Sequence, residues 1–409
     1  MKILFLTHQF FPEYQTGTER FVLNNAIMAQ KFGNKVKVIT YSFYENAHYD
    51  NESHGILYKE FFYEGIPVLA FKYKEHPPYI NLILHNNLLY GFAKAVLERE
   101  FPDSIHVGHP MRVHEFIWAA KDMEIPYIIT LTDFFLLCPK VNLAPDKFSL
   151  CAGPLHGKAC ADLCPEFNQS FILNRIRTSE EILKNAKSVI SPSDFVANIF
   201  RQEYPDISIQ INPHGLSYKN IRQNKRKYKQ EDNIVFGYAG SLIYHKGVHV
   251  LTKAFSKIKS NNTKLYIYGS GEEKYLNFLK EILRHDNRVT FHGKYNITDL
   301  GDLFSSVDVL VTPSVCYENY LLVLHEALAS NVPVIASKLG VMSEKIKENF
   351  NGFTFLPGDI NDLALKMETI INNPTILNDL KQNIKNLITI PTIEQEAYAY
   401  IKIYKNNHS

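Results

Sequence analysis

Apolar runs of strand length alternate with helix-spaced segments along most of the chain, and few architectures tolerate that pattern. "KILFLT" at 2–7 is followed by a helical pattern near 18–32 and by "KVKVIT" at 35–40, and "IPYIITLT" (125–132) and "KSVISP" (187–192) continue it. The alternation returns with "NIVFGYAG" (233–240), a helix near 247–259, "KLYIYG" (264–269), "RVTFHG" (288–293), "VDVLVTPS" (307–314) and "VPVIAS" (332–337). Strands this continuously apolar have both faces covered, which is the situation of a parallel sheet with helices on each side. The pattern therefore predicts two successive α/β units, each a doubly wound parallel sheet. A chain of 409 residues also exceeds one core and suits two domains of roughly 150–200 residues.

The junction shows in composition. After "VISPS" come one helix-like stretch, "INPHG", and the polar run "YKNIRQNKRKYKQEDN", which places the boundary within 194–230. We assign 1–195 to the first domain and 196–391 to the second, with a terminal helix at 392–409 packing back onto the first. That helix is read from the spacing of Ile393, Ala397, Tyr400, Ile401 and Tyr404. The basic run Lys225, Arg226, Lys227 and Lys229 reads as a solvated linker face.

Hydrophobic residues make up 45% and charged residues 21%, an ordinary globular balance, and a net charge of +2 gives no reason to expect nucleic acid. The slight basic excess would suit peripheral contact with an anionic membrane. "MKILFLTHQFF" reads as a first strand rather than a signal peptide, and no window reaches the roughly 20 apolar residues of a membrane span. A cytoplasmic protein, in places peripheral to the membrane, is the expectation.

In open parallel sheets ligands gather at the carboxyl ends of strands. Between Asp308 and Lys338 the only formal charges are Glu318 and Glu326, in "PSVCYENYLLVLHEAL". A carboxylate in such an apolar run costs several kcal/mol unless something compensates it. A helix starting near Asn319 or Tyr320 would put Glu318 at its cap and Glu326 about two turns in, roughly 9–12 Å along the axis. The amides of Asn319, Tyr320, Leu321 and Leu322 would then face an anion. The plain alternative is an N-cap carboxylate and a surface glutamate. In "GSLIYHKGVHVL", Gly240 ends a strand and Lys246 precedes Gly247 at a helix start, an arrangement suited to phosphate.

These residues resemble the retaining GT-B glycosyltransferases of glycosyltransferase family 4, over nearly the whole chain and most strongly from about 234 to 375. The most specific element is the pair of glutamates separated by seven residues, Glu318 and Glu326. Supporting it are "FGYAGSLIYHKGVHVLTKAF", "LYIYGSGEE", "VTFHGKY", "NGFTFLPGD" and "FFPEYQTGTERFVLNNAIMAQKFGNKVKVIT". The resemblance implies two Rossmann-like domains facing a central cleft and a nucleotide-sugar donor, UDP- or GDP-linked, with a glycan or lipid-linked acceptor in cell-surface polysaccharide or glycolipid assembly. It implies that Glu326 holds the ribose, that Glu318 and the Asn319–Leu322 amides hold the sugar and distal phosphate, and that Lys246, with Gly240 and Ser241 in its loop, neutralises the diphosphate. Gly17 would approach the phosphates or acceptor and His109 the donor sugar, although a buried, satisfied histidine is the bland reading of the latter. Sugar and ribose hydroxyls would compensate the glutamates. No cofactor would be required for catalysis.

The sequence departs from the family at Ser241, where arginine is frequent, at the glycine pairs reduced to Thr16-Gly17 and Gly340-Val341, at Asn331 and at Thr132. A catalytically silent scaffold subunit and a nucleotide-sugar epimerase of the same fold stand as alternatives. Of five cysteines, four cluster at Cys138, Cys151, Cys160 and Cys164 in an aperiodic insertion. Structural zinc, disulfides and free thiols are all compatible with their spacing, and Cys316 reads as packing.

Overall fold

The computed structural model describes residues 1–146, 149–284 and 286–407. The chain divides into two compact units. The first comprises 1–145, 151–215 and the chain from Ile393, and the second comprises Leu216–Thr392, with Asp146, Ser149 and Leu150 counted to it. Residues 196–215, assigned from sequence to the second domain, belong to the first.

The first unit runs β1 (Lys2–Thr7), α1 (Gly17–Lys31), β2 (Lys35–Tyr41), β3 (Asn51–Ser53), β4 (Ile56–Tyr63), β5 (Ile66–Tyr73), α2 (Asn87–Glu100), β6 (Ser104–Val107), α3 (His114–Asp122) and β7 (Tyr127–Thr130). It continues with α4 (Lys158–Leu163), α5 (Gln169–Asn185), β8 (Ser188–Ser191), α6 (Asp194–Glu203) and β9 (Ile209–Ile211). Its nine strands lie in the order β3-β4-β5-β2-β1-β6-β7-β8-β9. All neighbours are parallel except β3–β4 and β4–β5, so the sheet is mixed rather than wholly parallel. The two hairpins turn through His54-Gly55 and Glu64-Gly65, every one of these four residues at positive φ. Two-residue loops of that kind match the strand twist.

The second unit runs β10 (Ile234–Ala239), α7 (Val248–Lys257), β11 (Thr263–Tyr268), α8 (Glu273–Ile282), β12 (Val289–Gly293), α9 (Leu300–Ser306) and β13 (Val309–Thr312). Then follow α10 (Leu322–Ala329), β14 (Val334–Ser337), α11 (Gly340–Lys345), β15 (Gly352–Phe355), α12 (Ile360–Asn372) and α13 (Ile376–Leu387). Its six strands are parallel in the order β12-β11-β10-β13-β14-β15. β10, β13 and β14 are almost wholly buried, as their unbroken apolar runs require.

The last helix, α14 (Ile393–Asn406), belongs to the first unit. Its buried face is Glu396, Ala397, Tyr400, Ile401 and Tyr404. Tyr404 Oη and the Nδ1 of buried His106 are 2.6 Å apart, and Thr130 Oγ1 joins His106 Nε2 at 2.8 Å to Tyr400 Oη at 2.9 Å. Glu396 accepts from the Gly215 amide at 2.8 Å and lies 2.9 Å from His214 Nδ1. Each buried polar tip on this helix thus meets a partner from the sheet side, as burial demands.

The basic run is only partly a solvated face. Lys225, Lys227 and Lys229 are exposed, but the Arg226 guanidinium donates to both oxygens of buried Asp308 at 3.0 and 2.8 Å. Tyr228 Oη and the Val235 amide complete the shell of Asp308. Among the described residues no helix is long and apolar enough to cross a membrane.

Candidate active site

In both sheets the strand order reverses beside the first strand of the unit, between β1 and β6 and between β10 and β13. Loops leaving the carboxyl ends of those strands diverge and leave a crevice, the usual ligand position in an open α/β sheet.

In the second unit these loops hold Lys246 and Glu318, 72 residues apart in sequence. Lys246 Nζ donates to Glu318 Oε1 at 2.7 Å and Oε2 at 2.8 Å, and Ser314 Oγ donates to Oε1 at 2.6 Å. Glu318 is 9% exposed, so these partners compensate it from within the protein, where the family resemblance had implied sugar hydroxyls. Burial works to lower the pKa of Lys246, but the Glu318 carboxylate outweighs it and holds the ammonium above the usual lysine value.

Glycine makes this meeting geometrically feasible. Gly247, at φ +68, precedes α7, and a Cβ there would lie 1.8 Å from the Pro313 carbonyl oxygen. The loop after β10 therefore packs backbone to backbone on the loop after β13, and the Val315 amide donates to the His245 carbonyl at 2.9 Å. Gly240 sits at φ +151, its amide on the Tyr268 carbonyl. Ser241 is exposed, and its carbonyl accepts from Tyr238 Oη at 2.8 Å.

The helix after β13 starts later than its sequence suggested. Leu321, at φ 57 and ψ 74, is the N-cap of α10, so Glu318, Asn319 and Tyr320 lie in the approach loop rather than at the cap or in the first turn. Left-handed backbone at Leu321 cannot continue into a helix from Asn319. Leu322 is the first helical residue and Glu326, buried at 2% exposure, stands about one turn in rather than two. Tyr320 stacks flat on His325, with ring centroids 3.9 Å apart and planes 3° apart, which fixes the approach loop against the helix. Burial pushes the Cys316 thiol up to about 12, keeping it protonated and consistent with packing.

In the first unit, Gly17 opens α1 behind the N-cap Thr16, exposed. Thr16 N and Oγ1 both donate to Oε2 of fully buried Glu19 at 2.6 Å, closing a capping box. His109, 1% exposed after β6, accepts at Nδ1 from the Met111 amide at 3.1 Å. That leaves Nε2 as the protonated nitrogen, and it donates to the Asp133 carboxylate. The His8 ring lies 3.9 Å from that of His109. Burial, with His109 and Arg112 nearby, holds His8 well below the ordinary histidine value. Sequence reasoning missed Asp133, His8, Glu19 and Ser314. The signal for Asp133 was present, since it follows the β7 strand end in "TLTDFF".

Cys138, Cys151, Cys160 and Cys164, all in the first unit, line one cavity of ≈ 10 Å³. No disulfide joins them. Among the described residues no three His, Cys, Asp or Glu side chains are already drawn together as a metal-ligand set.

Residues 220–387 match the family described as glycosyl transferases group 1. Along the sequence, an uncharacterised glycosyltransferase of Methanocaldococcus jannaschii is 32% identical over 182 residues, 43% of this chain and 46% of that protein. The lipopolysaccharide 1,2-N-acetylglucosaminetransferase of Salmonella typhimurium is 26% identical over 42% of this chain and 50% of its own length. The chain thus spans about half the length of these relatives. Among solved structures, Anabaena HepE in complex with UDP and glucose superposes with a TM-score of 0.70 over 99% of both chains, at 18% identity. The fold is GT-B. Lys246, Glu318 and Glu326 all fall within the segment that matches the group 1 family.

Proposed function

We propose that this GT-B chain is a retaining glycosyltransferase of the family 4 type, moving a sugar from a nucleotide-diphosphate sugar to a glycan or lipid-linked acceptor in cell-surface polysaccharide or glycolipid assembly. The observation that carries the reading is the Lys246–Glu318 pair at the β10/β13 strand ends, inside the matched segment. HepE was crystallised with UDP and glucose, and the Salmonella relative is a lipopolysaccharide 1,2-N-acetylglucosaminetransferase, which supports a UDP-linked donor and a surface-glycan acceptor.

Cleaving a glycosyl–phosphate bond leaves a sugar with oxocarbenium character and an anionic nucleoside diphosphate. Cations and backbone dipoles fixed around the departing phosphate therefore lower the barrier most. Lys246 supplies the cation. Its two-oxygen contact with Glu318 holds the ammonium in one place, so little reorganisation is needed when a diphosphate arrives. Gly240 and Ser241 line the same loop, and the amides of Asn319, Tyr320, Leu321 and Leu322 supply dipoles from the approach to α10. Glu318 serves the sugar hydroxyls and Glu326 the ribose. Gly17 offers an exposed backbone amide, and His109, its tautomer fixed by Asp133, serves the transferred sugar. Retention follows from front-side attack, in which the leaving phosphate oxygen accepts the acceptor hydroxyl proton. The cation and dipoles take the part a divalent metal plays elsewhere.

The test is calorimetric and thermal-shift titration of the pure protein with UDP-, GDP-, ADP- and TDP-sugars, repeated on Lys246→Ala and Glu326→Ala. One donor should bind and stabilise the wild type and lose at least tenfold in affinity with either substitution. A folded protein that binds none of them would overturn the reading in favour of a silent scaffold.

A further inference from the structure

The insertion after β7 has an unusual interior. From Ala144 to Asn168, the buried side chains among the described residues are Cys151, Pro154, Cys160 and Cys164, while Leu155 and Leu163 are 52% and 45% exposed. A segment of this length normally holds its shape by burying large apolar groups. This one turns Leu155 and Leu163 outward, leaves Leu150 half-buried and turns its thiols inward. Left-handed backbone occurs at Leu155 and His156 within it and at Val141 and Leu143 just before it, conformations that persist only where the surroundings over-determine them.

The thiols face one cavity, although as placed no three of them form a ligand set. Cys160 lies in α4 and Cys164 is its C-cap, so the two share one helical face. Cys138 comes from the turn before Val141, and Cys151 from a backbone bond to the Leu143 carbonyl. All four line the single ≈ 10 Å³ cavity, about the room of one water-sized sphere. Polar groups also surround the sulfurs. The Gly153 amide reaches Cys151 Sγ at 3.4 Å, Cys151 Sγ donates in turn to the Gly153 carbonyl at 3.1 Å, and the positive charge of Lys140 lies near Cys138 and Cys164. An N–H turned toward sulfur and an ammonium nearby are outer-shell groups that suit a metal-bound thiolate.

We propose that Cys138, Cys151, Cys160 and Cys164 hold one zinc ion as a tetrahedral tetrathiolate, which serves as the missing core of this insertion. The four sulfurs close inward by side-chain rotation to Zn–S distances of about 2.3 Å. Four S–H protons leave to solvent as four S–Zn bonds form, with no change in oxidation state. The resulting charge of −2 is partly offset by Lys140. A cavity of this size suits a single ion rather than an iron–sulfur cluster, and four protein ligands leave no open position, so the site is structural. It is independent of the donor site, since every ligand belongs to the first unit.

The test uses the full-length protein, expressed with added zinc and purified without chelator. Plasma mass spectrometry should find about one zinc per chain, released in step with four equivalents of an organomercurial read by a chromophoric chelator. Cys138→Ser and Cys160→Ser should each cut zinc content by roughly tenfold or more, while Cys316→Ser, outside the cluster, should retain it. Should the variants fail to fold, the wild-type stoichiometry and its mercurial titration decide. Zinc well below one per chain that is not regained on adding zinc, an intact mass showing two disulfides, or iron in place of zinc would each overturn the proposal.

Discussion

Lys246 and Glu318 share a two-oxygen ion pair at 2.7 and 2.8 Å across the β10/β13 switch point. Removing one partner leaves the other partly buried and unpaired. Lys246→Ala should lower stability by about 1–3 kcal/mol, less than for a fully buried pair because the lysine is a quarter exposed. A double-mutant cycle with Glu318→Gln, read by urea denaturation, should give a coupling of about 1 kcal/mol or more. Because the Lys246 pKa is raised, the pair's contribution is fully present below the unfolded lysine value and fades only as pH rises through the higher folded one. The coupling should therefore be flat between pH 6 and about 9.

Gly247→Ala should be far more damaging than an ordinary glycine replacement. The added Cβ meets the Pro313 oxygen at 1.8 Å, so the two strand-end loops must separate. Gly358 has a similar φ of +78 and nothing within 4 Å, so Gly358→Ala isolates the backbone cost of about 1 kcal/mol. Thermal unfolding of the pair should show Gly247→Ala losing several kcal/mol more, and donor binding should fall with it. Equal losses would mean that the close approach is unimportant.

Glu115, on α3 and fully buried, accepts from the Asn86 amide and lies 2.9 Å from His85 Nδ1, while its Oε2 has no hydrogen-bond partner. Burial raises its pKa from 4.5 to about 7. Between those values the native state keeps a proton that the unfolded state has lost, so stability falls as pH rises and the cost is complete above about 7. Glu115→Gln should raise stability at pH 8 by on the order of 1–2 kcal/mol, read as a higher melting temperature, and change little at pH 5. An effect of equal size at both pH values would rule out the titration.

Tyr404→Phe removes the partner of His106 Nδ1, whose imidazole burial holds down at about 3 and therefore neutral. An unsatisfied buried nitrogen costs about 1–3 kcal/mol. The melting temperature should fall by several degrees. An unchanged value would show that α14 is held by its apolar contacts alone.

The alternation of strand and helix periods was legible in "KILFLT", "KVKVIT" and the five runs of the second half, because a parallel sheet buried on both faces imposes a local pattern on each strand. β3 to β5 were not read as a mixed edge, since "HG" and "EG" turns are weaker signals than Asn-Gly and since β3 and β4 are partly exposed. The start of α10 was misplaced because one left-handed residue, Leu321, delays the helix and nothing in the local composition marks it. The junction was placed too early because the helix-like stretch that became α6 and the three-residue β9 give no local sign that they belong to the first unit, whose sheet β9 completes.

By itself, then, the sequence determined two doubly wound units, the glutamate spacing, the lysine before its glycine and the four clustered cysteines, all of which rest on neighbours along the chain. Only the tertiary structure decided that Glu318 is compensated by Lys246 and Ser314, that Asp133 holds His109, and that the four thiols line one cavity. Such meetings depend on which strands lie side by side and where their loops turn. Strand order is set by long-range packing and crossover connections, and no local periodicity encodes it.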